Sequence, residues 1–272
     1  MNQENNVINN AWEKVKLSRN INRPSSEYYI NNISDKFVEL HGDRCYGDDS
    51  AVIAGICKID GISATIIGIT KGNNTKENIK RNFGMPKPEG YKKSYRLMKY
   101  AENHNMPILC FVDTPGAYCG VEAEENGQGM AIANNLLEMS RLKVPIISIF
   151  IGEGGSGGAL ALGIADKVLM LENAIYSILS PEGFSSILWK DASRTAEAAS
   201  VMKLTANDLK EIGIIDRIIE EPDGGAHNNR QQMTSTLKLI IVEELKKLME
   251  CNIDIILERR YDKFRKVGNT FD

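Results

Sequence analysis

Two glycine-rich turns carry most of the chemistry this chain can offer. The first ends the apolar run Ile108-Leu109-Cys110-Phe111-Val112 with Asp113-Thr114-Pro115-Gly116-Ala117-Tyr118. The second ends Ile146-Ile147-Ser148-Ile149-Phe150-Ile151 with Gly152-Glu153-Gly154-Gly155-Ser156-Gly157-Gly158. A strand that stops at glycines and opens a helix leaves backbone N–H groups unpaired and pointing outward. Two such turns face to face can hold a carbonyl oxygen as it gains negative charge. The candidate donors are the amides of Gly157 and Gly158, with those of Gly116 and Ala117 in support. Gly154, Gly155, Ser156 and Tyr118 are the candidate substrate contacts around them.

The second turn satisfies three patterns at once. Gly152-x-Gly154-x-x-Gly157 fits a dinucleotide fingerprint, with the acidic Glu172 about 20 residues further on. Gly154-x-Ser156-x-Gly158 fits a nucleophile elbow, with Asp216 and His227 following in the order of a serine hydrolase. Gly157-Gly158-Ala159 at a helix start fits a backbone oxyanion donor. A fourth reading is a tight turn whose glycines serve close packing alone. Against the nucleotide reading, the following helix is short. Against the hydrolase reading, His227 lies in the polar loop Gly224-Gly225-Ala226-His227-Asn228-Asn229.

Other polar residues read as structural. Asp113, at the end of a buried strand, is placed to fix its turn by accepting N–H bonds. Glu124 and Glu125 open a helix, where carboxylates suit the dipole. His41 and His104 stand in polar contexts. Five cysteines without a CxxC pair suggest free thiols in a reducing cytoplasm and offer no metal spacing. Segment 71–99 is basic, with Lys76, Lys80, Arg81, Lys92 and Lys93 against Glu77 and Glu89. It is either a solvated face or a surface for an anion, such as phosphates or an acidic partner, and Lys76, Arg81, Lys92 and Lys93 are the candidate contacts.

The elements that position these turns alternate strand and helix. A chain of 272 residues with 42% hydrophobic and 25% charged residues can bury a full core. No apolar run reaches the ~20 residues of a membrane helix, and the polar start MNQENNVINN shows no signal peptide. A net charge of −3 argues against a general nucleic-acid binder. Trp12, Val15 and Leu17 suggest a short docking helix, and Ser26 is expected to cap a second helix running to Leu40. Residues 51–57 and 62–70 read as a hairpin through Asp60-Gly61. Residues 71–90 read mainly as loop, followed by a helix from Tyr91. A helix over 124–142 is expected, with Met130, Ala133, Leu137 and Ser140 on one stripe. A short helix over 157–164, strands at 168–171, 175–179 and 214–219, a helix opened by Pro181, a capping box at Thr205 and Asp208, and helices broken near Asn252 complete the pattern. Strands alternating with helices point to an α/β fold with a largely parallel core sheet.

Several long motifs in order then carry a resemblance. Leu40-His41-Gly42-Asp43-Arg44, Arg81-Asn82-Phe83-Gly84-Met85-Pro86-Lys87-Pro88-Glu89-Gly90-Tyr91, the two glycine turns, Ser180-Pro181-Glu182-Gly183 and Glu221-Pro222-Asp223-Gly224-Gly225-Ala226-His227 run from one end of the chain to the other. The chain resembles the α subunits of bacterial acetyl-CoA carboxylase carboxyltransferase over about residues 11–260. It departs at Cys119, where the family pattern has proline, and in a shorter amino-terminal extension. The resemblance implies a crotonase-like ββα superhelix. Its expected parts are a docking extension over 1–30, a carboxyltransferase core over 31–225 and C-terminal helices over 226–272.

The resemblance also implies the reaction: carboxyl transfer from carboxybiotin, borne on biotin carboxyl carrier protein, to acetyl-CoA, giving malonyl-CoA for fatty acid synthesis. It implies a zinc-bearing β subunit in an α2β2 assembly, and biotin carboxylase in the larger cytoplasmic complex. The amides after Gly116 and at Gly157-Gly158 would then face the biotin carbonyl. A deprotonated biotin nitrogen would act as base, which accounts for the lack of an evident side-chain base. A transferase or decarboxylase for another acyl-CoA shares this chemistry. A serine hydrolase using Ser156 and a catalytically silent scaffold are the readings from other classes.

Overall fold

A strand buried along its whole length lies at the centre of the sheet, and the rest is arranged around it. The computed structural model describes residues 2–268. Helix α1 (Asn2–Ser18) buries Ala11 and Val15. Helix α2 (Ser26–Ile33) is capped by Ser25, whose hydroxyl accepts the Tyr28 N–H; Ser26 instead donates its hydroxyl to the Ile69 carbonyl. This helix stops at Ile33, short of Leu40. Residues 36–39 form strand β1 (Lys36–Glu39), whose half-exposed alternation suits an edge.

Strands β2 (Val52–Ile59) and β3 (Ile62–Ile69) pair antiparallel across Asp60 and Gly61, both at positive φ. Segment 71–90 contains more structure than a loop: α3 (Thr75–Lys80), capped by Asn74, and the start of α4 (Pro88–Asn103). Pro88 opens α4 from the first turn, where its missing N–H costs nothing. Strand β4 (Ile108–Thr114) is buried throughout.

The helix expected over 124–142 is two, α5 (Val121–Glu125) and α6 (Gln128–Arg141), separated by Gly127 at φ 81. Met130 and Leu137 are exposed, while Ala131, Asn135, Glu138 and Met139 face inward. The buried Glu138 is paired with Lys99 of α4, at 2.8 Å, and with Arg141. The buried face of α6 is thus not the expected stripe, since Met130, Ala133, Leu137 and Ser140 are all exposed.

Strand β5 (Ile146–Gly155) leads into α7 (Ser156–Leu160), shorter than expected. Then follow β6 (Lys167–Leu171), β7 (Ile175–Ser177), α8 (Pro181–Leu188), α9 (Thr195–Val201), α10 (Ala206–Glu211) with its Thr205/Asp208 capping box, and β8 (Arg217–Ile219). The last two strands are shorter than the apolar runs that suggested them. Helices α11 (Arg230–Met249) and α12 (Ile253–Arg265) meet at the Asn252 cap.

The sheet order is β1-β2-β3-β4-β5-β6-β8, with β7 paired to the far end of β5. It is antiparallel through β3 and parallel from β3 onward. Helix α2 meets one face at Gly68, whose absent Cβ leaves room for Ser26 and Ile30. Helix α4 meets the other face at Val52. Met233, Leu237, Ile241 and Leu245 of α11 join the same continuous core. Arg260 of α12 is fully buried. It donates to Asp166 at 2.7 and 2.8 Å and to the carbonyls of Met139, Leu142 and Val144, which fixes the entry into β5.

Candidate functional site

The two glycine turns touch because β4 and β5 are parallel neighbours. Their register is regular from Ile108↔Ile146 to Val112↔Phe150, then slips so that Thr114 stands opposite Gly154. The slip puts two extra residues of β5 opposite Asp113. Asp113 Oδ1 accepts the Glu153 N–H there at 3.0 Å, and a Cβ on Gly152 would stand 2.4 Å from the same oxygen. Asp113 therefore builds the turn.

Beyond the slip the backbones lie against one another. A Cβ on Gly155 would stand 2.1 Å from the Pro115 carbonyl oxygen. A Cβ on Gly158 would stand 2.5 Å from both Gly116 C and Ala117 N. Gly154 is likewise closed by the Phe150 ring, at 2.6 Å. Gly157 is the open one, with Ile132 methyls at 3.8 and 3.9 Å.

Gly116 has φ 153, and Thr114 Oγ1 bridges it, donating to its carbonyl at 2.7 Å and accepting its N–H at 3.0 Å. The Ala117 N–H has no acceptor among the described residues. The first turn of α7 leaves the Ser156, Gly157 and Gly158 N–H groups without intrahelical acceptors. Sequence-distant amides thus share one small site, built of backbone. Tyr118 flanks it: its N–H donates to the Pro86 carbonyl at 3.0 Å, and Lys87 Nζ sits 5.4 Å from its ring centre.

Beside Pro115 lies a cavity of about 330 Å³, lined by Arg19, Arg23, Lys71, Phe83, Asp113 and Glu153. Lys71 Nζ lies 2.9 Å from Asp113 and 2.6 Å from Glu153. Arg19 bridges Glu153 and Glu182, each at 2.6 Å. Burial opposes the Glu153 charge, yet Lys71 and Arg19 outweigh it and hold the carboxyl below the usual range. Burial likewise opposes the Lys71 charge, and the carboxylates of Asp113 and Glu153 hold its pKa above the ordinary value. These partners were not found from sequence, since Lys71 and Glu153 are far apart in the chain and match no motif together.

Ser156 is exposed and sits at φ 49, a strained conformation for a residue with a side chain. The hydrolase constellation is not assembled around it. Asp216 accepts the Val168 N–H at 2.6 Å and pairs with Lys263. Val168 lies beside Ser148, about 25 Å along β5 from Ser156. His227 contacts Asn20 at 3.3 Å.

The four basic candidates do not form one face. Lys76 is exposed. Arg81 pairs with Glu27 at 2.6 Å. Lys92 donates to the Asn126 carbonyl at 3.0 Å. Lys93 is buried, with Asp48 at 2.5 Å and the Asp49 carbonyl at 2.9 Å, so its charge is already matched inside the protein. Lys93 follows Lys92 in sequence, but the turn of the helix sets it on the inward side of α4. Among the described residues, no group of three or more His, Cys, Asp or Glu side chains is placed to hold a metal, and no helix is long and apolar enough to cross a membrane.

A family model described as acetyl co-enzyme A carboxylase carboxyltransferase-like matches residues 2–268. The chain is similar to the acetyl-coenzyme A carboxylase carboxyl transferase subunit alpha of Clostridium botulinum (strain Alaska E43 / Type E3), 62% identical over 262 residues and covering 96% of each chain. It is 57% identical over 258 residues to the acetyl-coenzyme A carboxylase carboxyl transferase subunits beta/alpha of Clostridium tetani, covering 95% of this chain and 45% of that one. A Pseudomonas malonate decarboxylase hetero-tetramer solved in complex with coenzyme A has a similar fold. Its TM-score is 0.68 at 15% identity, covering 85% of this chain and 90% of that one. The fold is crotonase-like α/β.

Proposed function

The chain belongs to the acetyl-CoA carboxylase carboxyltransferase family, among its alpha subunits, and from that premise we propose how its glycine turns serve carboxyl transfer to acetyl-CoA. The observation that carries the reading is the contact of Gly158 with the Gly116–Ala117 peptide. It gathers the Ala117 N–H and the first-turn N–H groups of α7, which need an acceptor, at one place. The ureido carbonyl of biotin is such an acceptor.

Carboxybiotin supplies the carboxyl group. The Ala117, Gly157 and Gly158 amides polarise the ureido oxygen and hold the charge that develops on it. Tyr118 and Ser156 bound the approach, with Gly154 and Gly155 packed behind them against Phe150 and Pro115. The charged layer of Lys71, Asp113, Glu153 and Arg19 keeps the β5 end rigid, so these donors need no reorganisation during the reaction. Asp113 and Glu153, the carboxylates of the two turns, are both engaged by Lys71, which supports a deprotonated biotin nitrogen as the base.

The second half-site, for the thioester, belongs to a β subunit. A relative carrying beta and alpha in one chain supports this pairing. We assign the zinc to that subunit and the assembly to α2β2. Biotin carboxyl carrier protein and biotin carboxylase are the further partners, in the cytoplasm.

The test is carboxyl exchange between malonyl-CoA and biocytin, with the chain alone and with a β-type partner. Activity should appear with the partner and be absent without it, because one half-site cannot orient both substrates. Exchange by the single chain, or none with the partner, would overturn the reading.

A further inference from the structure

Arg44 of the loop between β1 and β2 and Arg96 of α4 stand together, neither in an ion pair with a carboxylate among the described residues. Asp43 Oδ1 accepts the N–H groups of Cys45, Tyr46 and Gly47 at 2.8, 2.9 and 3.0 Å, which winds the loop tightly. Arg44 is held in that loop at φ 69, where residues with side chains are strained. Its Nη1 donates to the His41 carbonyl at 2.9 Å. Arg96, from α4, donates to the same oxygen at 3.2 Å, and to the carbonyls of Leu40 and Gly42 at 3.3 and 3.1 Å.

Two guanidinium groups thus converge on one carbonyl oxygen. None of the loop's carboxylates is paired with either arginine among the described residues. Asp43 serves the backbone through Oδ1 while its buried Oδ2 has no partner, and Asp48 is taken by Lys93, His41 and the Gly42 N–H. Glu39 stands 3.5 Å from His41. Burial, and then the Arg44 charge, lower the Arg96 pKa below its ordinary value, despite Asp48 and Asp43. Like charges held this close repel, and an anion between them removes the repulsion. Lys92, one turn earlier on α4, adds a third positive charge, its Nζ 4.5 Å from the centre of the exposed Tyr46 ring.

We propose that Arg44, Arg96 and Lys92 form a binding site for a phosphate monoester dianion. Guanidinium forks match phosphate oxygens in pairs, and the strained loop holds one fork ready. Resting on the function proposed above, we assign the phosphate to the nucleotide end of acetyl-CoA. Helix α4 connects the two places. Its Tyr91 hydroxyl lies 3.0 Å from the point a Gly158 Cβ would occupy. Arg96 stands about 7.5 Å of helix rise beyond Tyr91, within reach of an extended thioester arm.

Titration calorimetry of the full chain with inorganic phosphate, at constant ionic strength and neutral pH, tests the site. Arg44→Gln alters an exposed side chain and should weaken phosphate about 10- to 100-fold. Arg44→Lys should recover part of the loss, and Lys76→Gln should change nothing. No saturable phosphate binding by the wild type, or equal affinity in Arg44→Gln, would overturn the site.

In the complex with a β-type partner, coenzyme A should bind more tightly than 3′-dephospho-coenzyme A, and Arg44→Gln should erase the difference. Equal binding of the two by the wild-type complex would overturn the coenzyme A assignment and leave the site to free phosphate. Malonyl-CoA exchange, measured on the same wild-type preparation, reports separately on the proposed function.

Discussion

Replacing Gly158 by alanine should separate catalysis from folding. The added Cβ would stand 2.5 Å from Gly116 C and Ala117 N, and 3.0 Å from the Tyr91 hydroxyl. Carbon contacts settle near 3.5–4.0 Å, so the two turns must part by roughly 1 Å. Neither wall yields easily, because Thr114 pins Gly116 through both its N–H and its carbonyl. Overpacking of this kind costs about 1–3 kcal/mol. In a domain of this size that lowers Tm by about 2–4 °C per kcal/mol, leaving a folded protein.

The donors suffer more than the fold. A shift of about 1 Å, or the loss of one oxyanion donor, costs on the order of 10²–10³ in rate. Gly157→Ala is the internal control. Its Cβ meets only Ile132 methyls at 3.8 and 3.9 Å, an ordinary contact. Malonyl-CoA exchange by the assembled complex should therefore fall on the order of a hundredfold or more in Gly158→Ala and stay within a few-fold of wild type in Gly157→Ala. A Gly158→Ala complex with wild-type kcat, or equal losses in both variants, would refute the placement of the donors between the turns.

Three further outcomes follow from the same geometry. Ser156→Ala should keep full exchange activity, and Ser156→Gly should raise Tm, since φ 49 costs a side-chain-bearing residue about 1–2 kcal/mol; a thousandfold loss of activity in Ser156→Ala would revive a nucleophilic serine. The Glu153 carboxyl is ionised more readily in the folded chain than its ordinary 4.5, so it stabilises the fold above that pH and the contribution is lost as pH falls through its lower folded value. Urea midpoints at about pH 6 and pH 3 should accordingly drop more in wild type than in Glu153→Gln, and equal drops would count against the ion cluster. Arg260→Ala should destabilise by about 3–5 kcal/mol in denaturant titration, because it strands the buried Asp166 and three carbonyls; a loss within 1 kcal/mol would show that α12 is not fastened there.

Much of this molecule was set locally. Apolar runs at 108–112 and 146–151 can be little but buried strands, and Asp60-Gly61 can be little but a hairpin turn. Thr205 and Asp208 cap each other within one turn of chain. The glycines at 154–158 announced a close approach, and Asp113 announced a turn, because each needs only its own neighbours to define its conformation. The buried face of α6 was not legible, since its Glu138 is paired with Lys99 of α4, a partner from a distant segment. Helix α2 stopped before the sequence suggested, because residues 36–39 gain more by pairing with β2 than by continuing a helix.

The site shows the same division. Local sequence supplied the two sets of amides, but which glycine is closed and which is open depends on the slip between β4 and β5. Lys71, Glu153 and Arg19 come from three separate segments, and their pairing, which outweighs the burial that opposes each charge, exists only once the fold brings them within 3 Å. Lys92 and Lys93 are adjacent in sequence and opposite in fate, because a helix turns successive side chains by about 100° and only the packed molecule decides which one meets Asp48. Patterns that depend on near neighbours were fixed by the chain itself; pairings of charge across distant segments were decided by the tertiary structure, since no local energy selects them.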